Sequence, residues 1–356
     1  KSWKTLQESI SEKRLGGCAL GGSLAVTSFI RDGITIIHSP QGCAHQMFSA
    51  YHAMAADSDS FSIPKVIVSN ITNREVIFGG EEALVEALDR ADAENPALIS
   101  VVTSCVPETI GDDVEGVCAS HAAADKIVYV PASGFLGGSS QDGENIALIS
   151  ISKRARPAEV VPRTAVIIGE KNLESEVEEN YAEVCRLLSR LGITVSLRFC
   201  RNISAADIGL LGTADFFIIR DERVEEAGVD IANRFGRPYV SSFPKGLSGC
   251  VSFIREAGLA CGISEAEIME AVSAEEAYQE EQLGTGHAVM TCKDAFEGFD
   301  GSVLITFGDM PLFRRDEFYK MCKQHAENGA ACTLMTAENS ELKMWARVVR
   351  DAEGKF

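Results

Sequence analysis

Gly33-Ile34-Thr35-Ile36-Ile37-His38-Ser39-Pro40-Gln41-Gly42-Cys43-Ala44-His45 is a β-branched apolar run that breaks abruptly into turn residues and a cysteine. A short run of this kind, bounded by glycine and Ser-Pro, has the composition of a strand buried on both faces of a parallel sheet. Its carboxyl end delivers Cys43, and in open α/β sheets ligands gather beyond the carboxyl ends of strands. The same grammar repeats outward from this stretch. Strands are expected at 65–69, 97–103 and 126–131, with a helix over 81–91 and another opening at Asp112-Asp113, where acids suit the positive end of the helix dipole. Strand and helix alternating at this spacing mean an α/β fold with a parallel sheet covered on both faces.

Two further cysteines share the setting of Cys43. Gly16-Gly17-Cys18-Ala19-Leu20-Gly21-Gly22 and Thr103-Ser104-Cys105-Val106-Pro107-Glu108 each place a thiol in a turn-like segment. Glycine and proline there let the backbone pass close to a bulky inorganic group. A free cysteine more often packs as a small apolar side chain, and Cys118, Cys185, Cys200, Cys250, Cys261, Cys292, Cys322 and Cys332 fit that reading. None of the first three lies in a Cys-x-x-Cys pair, so neither a zinc knuckle nor a ferredoxin run is indicated. His38 and His45 flank the second cysteine segment. Histidine is a versatile ligand and proton carrier, and it is also a common hydrogen-bonded structural residue.

Gly-Gly-Cys-Ala-Leu-Gly-Gly, His-Ser-Pro-Gln-Gly-Cys-Ala-His, Phe78-Gly79-Gly80-Glu81 and Ser104-Cys105-Val106-Pro107-Glu108-Thr109-Ile110-Gly111-Asp112-Asp113 resemble, in order, the signatures of the nitrogenase component 1 family. That family includes oxidoreductases, cofactor-assembly scaffolds and tetrapyrrole reductases. The resemblance covers about residues 1–265 and implies that Cys18, Cys43 and Cys105 bind an iron–sulfur cluster, 4Fe-4S or related, at a subunit interface. It implies a homodimer or a heterodimer with a second component 1-like subunit that supplies the remaining ligand. It also implies an ATP-dependent iron–sulfur reductase as electron donor. Asp112 and Asp113 can tune such a cluster or simply cap a helix.

Residues 1–158 are expected to form the first nitrogenase-like domain and 159–265 a second Rossmann-like domain, joined where Arg156-Pro157 and Val161-Pro162 bracket a linker. The second unit opens with a strand at 164–170, continues with a helix over 174–191, and has strands at 194–199, 216–219 and 237–241. Counting back from Phe235-Gly236-Arg237-Pro238, the position where nitrogenases carry a cofactor-anchoring cysteine holds Arg220. A guanidinium at a strand end suits a carboxylate or other anion, so Arg220 is a candidate substrate contact.

From residue 278 the chain changes character. Gln279-Glu-Glu-Gln-Leu-Gly284-Thr285-Gly and Gly301-Ser302-Val303-Leu304-Ile305-Thr306-Phe307-Gly308-Asp309 resemble the middle of a sugar-phosphate nucleotidyltransferase of the N-acetylglucosamine-1-phosphate uridylyltransferase type. The resemblance implies that Asp309 holds Mg²⁺ and that Gln279, Gly284 and Thr285 line the nucleotide. The family's opening glycine-rich loop has no counterpart, Ala346 stands where glycine is usual, and 278–356 reads as an incomplete domain.

With 356 residues, 46% hydrophobic and 24% charged, the composition is that of a multidomain globular protein. A net charge of −19 without a basic stripe argues against nucleic acid. No apolar run approaches the roughly 20 residues of a membrane span, and the opening Lys-Ser-Trp-Lys-Thr has no signal-peptide core. A cytoplasmic setting is expected, where eleven cysteines stay free or bind metal. Three functions follow: an oxidoreductase subunit, a metal-cofactor assembly scaffold, or a Mg²⁺-dependent nucleotidyltransferase.

Overall fold

The computed structural model describes residues 17–55, 64–134, 138–174, 177–241, 243–278, 298, 301–304 and 315–328. The chain divides into two compact units, Lys1–Glu281 and Gln282–Phe356.

The first unit opens with α1 (Ala19–Thr27), β1 (Gly33–His38), α2 (Gln41–Ala55), β2 (Val66–Val68), α3 (Asn73–Phe78) and α4 (Glu81–Asp92). It continues with β3 (Leu98–Thr103), α5 (Cys105–Ile110), α6 (Val114–Ser120), β4 (Ile127–Val130) and α7 (Ser140–Ser152). The four strands form one parallel sheet in the order β2-β1-β3-β4. Its central strands alternate strictly. Ile34, Ile36, Ile99 and Val101 pack on Leu84, Leu88 and Val114 of α4 and α6, while Ile37 and Val102 face Leu20, Leu24 and Leu148 of α1 and α7. Each such side chain, taken fully out of water, contributes about 1.5–3 kcal/mol, so a one-residue slip in either strand would reverse both faces.

A second parallel sheet follows, built from β5 (Thr164–Ile168), α8 (Val177–Ser189), β6 (Thr194–Phe199), β7 (Phe216–Ile219), α9 (Glu225–Phe235) and β8 (Tyr239–Ser241), with α10 (Gly246–Ala260) and α11 (Glu265–Tyr278) beyond it. Its order is β6-β5-β7-β8. Val166, Ile168, Phe217 and Ile219 join the same core cluster as α1 and α7, while Ala165, Ile167, Phe216 and Ile218 pack with residues of α8, α10 and α11. Helix α7 thus serves both sheets. Its buried Asn145 donates to the Arg223 carbonyl at 2.7 Å and accepts from the Ala227 amide at 2.8 Å, tying α7 to the start of α9. Helix α11 is locked by Glu275, fully buried, which takes a bidentate pair from Arg186 and a third bond from Arg190.

α1 and α7 cross closely because glycines meet backbone there. A Cβ added at Gly22 would fall on the Ser140 carbonyl, and one added at Gly143 on the Ala19 carbonyl. Ser23 Oγ uses the contact to donate to the Gly143 carbonyl at 2.8 Å.

Among the described residues of the second unit, α12 (Arg315–Asn328) is helical and carries a Lys323–Glu327 pair at 3.8 Å. Gln279, Gly284, Thr285 and Asp309 lie outside the described residues. No helix among the described residues is long and apolar enough to cross a membrane.

Candidate functional site

The order β2-β1-β3-β4 reverses direction between β1 and β3, which places a crevice beyond their carboxyl ends. His38 and Thr103 end these strands side by side in register. Cys43 follows His38 by five residues and Cys105 follows Thr103 by two. Cys18 enters from a third direction: it N-caps α1, forms an antiparallel bridge with Ser139, and is held by the Ser140 amide donating to the Gly17 carbonyl at 3.0 Å. Gly17 takes a φ of +92° to make that turn, a conformation only glycine adopts freely.

The turn-like settings expected for Cys43 and Cys105 prove to be the first turns of helices. Pro40 immediately precedes α2 and Ser104 occupies the N-cap position of α5, both residue types that start helices. All three thiols therefore sit at helix N-termini, the positive end of the helix dipole. Neither α1 nor α2 has an acid in its first turn to compete. Cys18 is exposed and the other two are half-buried. Burial pushes the Cys43 thiol pKa up, the neighbouring Cys105 and Cys18 push it further, and the Ser104 hydroxyl opposes them. Sulfurs act on Cys43 in this way only from nearby, so Cys18 and Cys105 both lie in its neighbourhood.

One metal ion would draw its thiolates to about 2.3 Å from a common centre. Among the described residues no three His, Cys, Asp or Glu side chains gather that tightly. In a polynuclear iron–sulfur cluster each thiolate takes its own iron, which suits a wider set of soft donors. A Cβ at Gly42, beside Cys43, would meet nothing within 4 Å, so the backbone leaves room there. This donor set fits such a cluster.

Behind the thiols runs a buried polar chain. The Ser39 amide donates to Ser69 Oγ at 3.2 Å, Ser69 Oγ meets His38 Nδ1 at 2.9 Å, and His38 Nε2 meets Asp112 Oδ2 at 3.3 Å. Asp112 Oδ1 accepts from the Gly80 amide at 2.9 Å. A carboxylate only accepts, so Nε2 carries the ring proton, and a neutral ring then accepts from Ser69 at Nδ1. His38 is completely buried, and its pKa is lowered by burial, with Asp112 countering in part. Asp113, by contrast, is an ordinary cap that accepts from the Gly116 amide at 2.9 Å. His45 is exposed.

The lowered His38 pKa has a defined sign. Between its folded and unfolded pKa values the unfolded chain binds the extra proton, so the neutral histidine favours folding above pH ~6.5 and that contribution declines as pH falls, by up to about 1.4 kcal/mol per unit. The unfolding free energy of the wild type is expected to drop more between pH 7.5 and 5.5 than that of His38→Gln, measured by urea titration. Identical slopes would contradict it.

Arg220 closes β7. Its Nε donates to the buried Glu170 at 3.2 Å and its guanidinium stacks 4.3 Å from the Phe243 ring centre. It lines a cavity of about 350 Å³ with Glu174, Asp221, Arg223 and Lys245. No local pattern announces the Glu170 partner, 50 residues away, or the buried hydroxyl of Ser104.

With the geometry in place, comparisons with known proteins bear on it. The sequence profile described as nitrogenase component 1 type oxidoreductase matches residues 18–308. The nitrogenase molybdenum-iron protein alpha chain of Methanothermobacter thermautotrophicus is 25% identical over 281 residues, covering 74% of this chain and 58% of the relative. The nitrogenase iron-molybdenum cofactor biosynthesis protein NifE of a Nostoc species is 31% identical over 189 residues, covering 51% of this chain and 38% of the relative. A bifunctional protein GlmU from Lactobacillus helveticus is 43% identical, over 93 residues only, which is 26% of this chain and 20% of that protein. The chain thus spans well under two thirds of these relatives. A solved structure titled "Nitrogenase Cp1 at pH 6.5" shares the fold with a TM-score of 0.59 at 17% identity, covering 96% of this chain and 69% of that one.

Proposed function

The chain belongs to the nitrogenase component 1 type oxidoreductase family, and from that premise we propose that it is a redox subunit holding an interfacial iron–sulfur cluster, 4Fe-4S or related, on Cys18, Cys43 and Cys105. The observation that carries this is the convergence of three thiols, each at a helix N-terminus, around the crevice between β1 and β3. When bound, the cluster supplies electron storage and transfer. The chain's own residues hold it: three helix N-termini present the sulfurs, and the His38–Asp112 bond braces the strand end leading to Cys43 against the residues that follow α5.

A second component 1-like subunit is proposed to complete the ligand set. Val76, Ile77 and Phe78 support this: they are exposed on α3, which packs against the Cys105 helix, and Phe78 is 82% exposed. Large apolar side chains left in water beside a three-ligand site suit a covering partner. An ATP-dependent iron–sulfur reductase is the proposed electron donor, with Arg220 offering its cavity to an anionic part of the substrate.

The likeness to NifE supports a second reading, an assembly scaffold. Incubation with ATP, reductant and a nitrogenase-type reductase separates the two. The redox reading expects repeated, ATP-dependent oxidation of the reductase; the scaffold reading expects a cluster precursor to be bound and released without multiple turnovers. Pyrophosphate release from UTP and a sugar phosphate, lost in Asp309→Ala, would point instead to nucleotidyl transfer.

A further inference from the structure

The second sheet has a switch point of its own. Its order β6-β5-β7-β8 reverses between β5 and β7, so a crevice opens beyond their carboxyl ends, where open α/β sheets seat ligands. Arg220 is the first residue past β7. Its amide donates to the Ile168 carbonyl at the end of β5 at 3.0 Å, and its carbonyl accepts from the Phe243 amide at 3.3 Å. The Nε is taken by the buried Glu170 and the guanidinium lies over the Phe243 ring, so the plane of the fork is set from two sides. Its two Nη groups have no hydrogen-bond partner among the described residues. Arg220 lines the cavity of about 350 Å³, whereas Glu170 does not. A planar fork with open N–H groups fits an oxyanion bidentately, and the volume suits a small ligand.

Lys245 lines the same cavity, is exposed, and forms no ion pair among the described residues. It stands at the N-cap of α10, a helix of 15 residues that no side chain caps and that has no acid in its first turn. The first amides of α10 are therefore open to an anion. Gly246, with a φ of +66°, keeps space there, since an added Cβ would meet nothing within 4 Å. Three of the four acids on the wall are already matched: Arg223 pairs with Glu174 at 2.6 Å and Asp221 at 3.1 Å, and Arg186 with Glu183 at 2.6 Å. The fourth, Glu222, is exposed, where solvent screens it.

We infer that this crevice seats the substrate by an oxyanion, a carboxylate or phosphate, gripped by Arg220, Lys245 and the first amides of α10, with Glu170 as the positioning residue that sets the Arg220 fork. This rests on the cavity being the substrate site proposed above, and the grip uses only the chain's own donors.

The test is calorimetric titration of the full chain, in chloride buffer, with inorganic phosphate and separately with succinate. Saturable binding of either supports the inference, and the stronger of the two tells a phosphorylated substrate from a carboxylic acid. Arg220→Gln and Lys245→Gln are each expected to weaken that binding about tenfold or more, as loss of a hydrogen bond to a charged group does. Lys65→Gln, which removes a remote exposed lysine, should leave it unchanged. Should Arg220→Gln fail to fold, Lys245→Gln decides alone, because its side chain is exposed. Binding of neither probe by the wild type, wild-type affinity in the folded crevice variants, or an equal loss in Lys65→Gln would each overturn the inference. The titration needs no cluster. A chain that loads iron and sulfide yet binds neither probe overturns this assignment alone, and one that binds a probe in the crevice yet loads no iron upholds it while the redox reading falls.

Discussion

Gly143→Val is expected to destabilise the first unit by at least ~3 kcal/mol, the upper end of what overpacking usually costs. The reason is where the new atoms would go. A Cβ at Gly143 lands on the Ala19 carbonyl, which is helical backbone and cannot swing aside as a flexible side chain would. Ser23 and Gly22 close the same crossing from α1, so relief requires α1 to move as a body. Cys18 caps α1, and any such shift carries its thiol away from Cys43 and Cys105. The variant should therefore show both a lower urea midpoint and reduced iron uptake per folded chain. A control at Gly236, which takes a φ of +63° at the end of α9, separates general damage from this effect. Gly236→Ala carries only local backbone strain, of order 1 kcal/mol, and should leave iron uptake unchanged.

Much of this architecture is legible in the residues. Gly33–His38 and Leu98–Thr103 are strands because their β-branched runs must be buried on both faces, and the expected strand at 97–103 differs from the observed one by a single residue. The expected strand at 237–241 begins two residues later, at Tyr239, past the Pro238 that cannot donate to a ladder. The ordered cysteine motifs identified the family that the profile match then established. Short-range spacing has limits, though. The helical setting of Cys43 was hidden because Ser-Pro-Gln-Gly reads as a turn, while the same proline serves equally well just ahead of a helix. The His38–Asp112 bond joins residues 74 apart in sequence, and no local pattern announces it. Ser104 reads as an ordinary N-cap until its burial and its orphaned hydroxyl are seen together.

The second large effect concerns the thiols themselves. Cys18 is exposed and Cys43 and Cys105 only half-buried, so replacing all three by serine removes soft ligands at little cost to packing. The triple variant should fold, keep its unfolding free energy within about 1 kcal/mol of wild type, as substitutions outside the core usually do, and lose its metal. Acid-labile sulfide and iron per chain after anaerobic loading, with an EPR spectrum of the reduced sample, test this most directly. The account predicts bound iron and sulfide with a paramagnetic signal in the wild type and neither in Cys18→Ser/Cys43→Ser/Cys105→Ser. Equal iron and sulfide in both proteins would place the cluster elsewhere, and their absence from the wild type would contradict a shared metal site at these three helix ends.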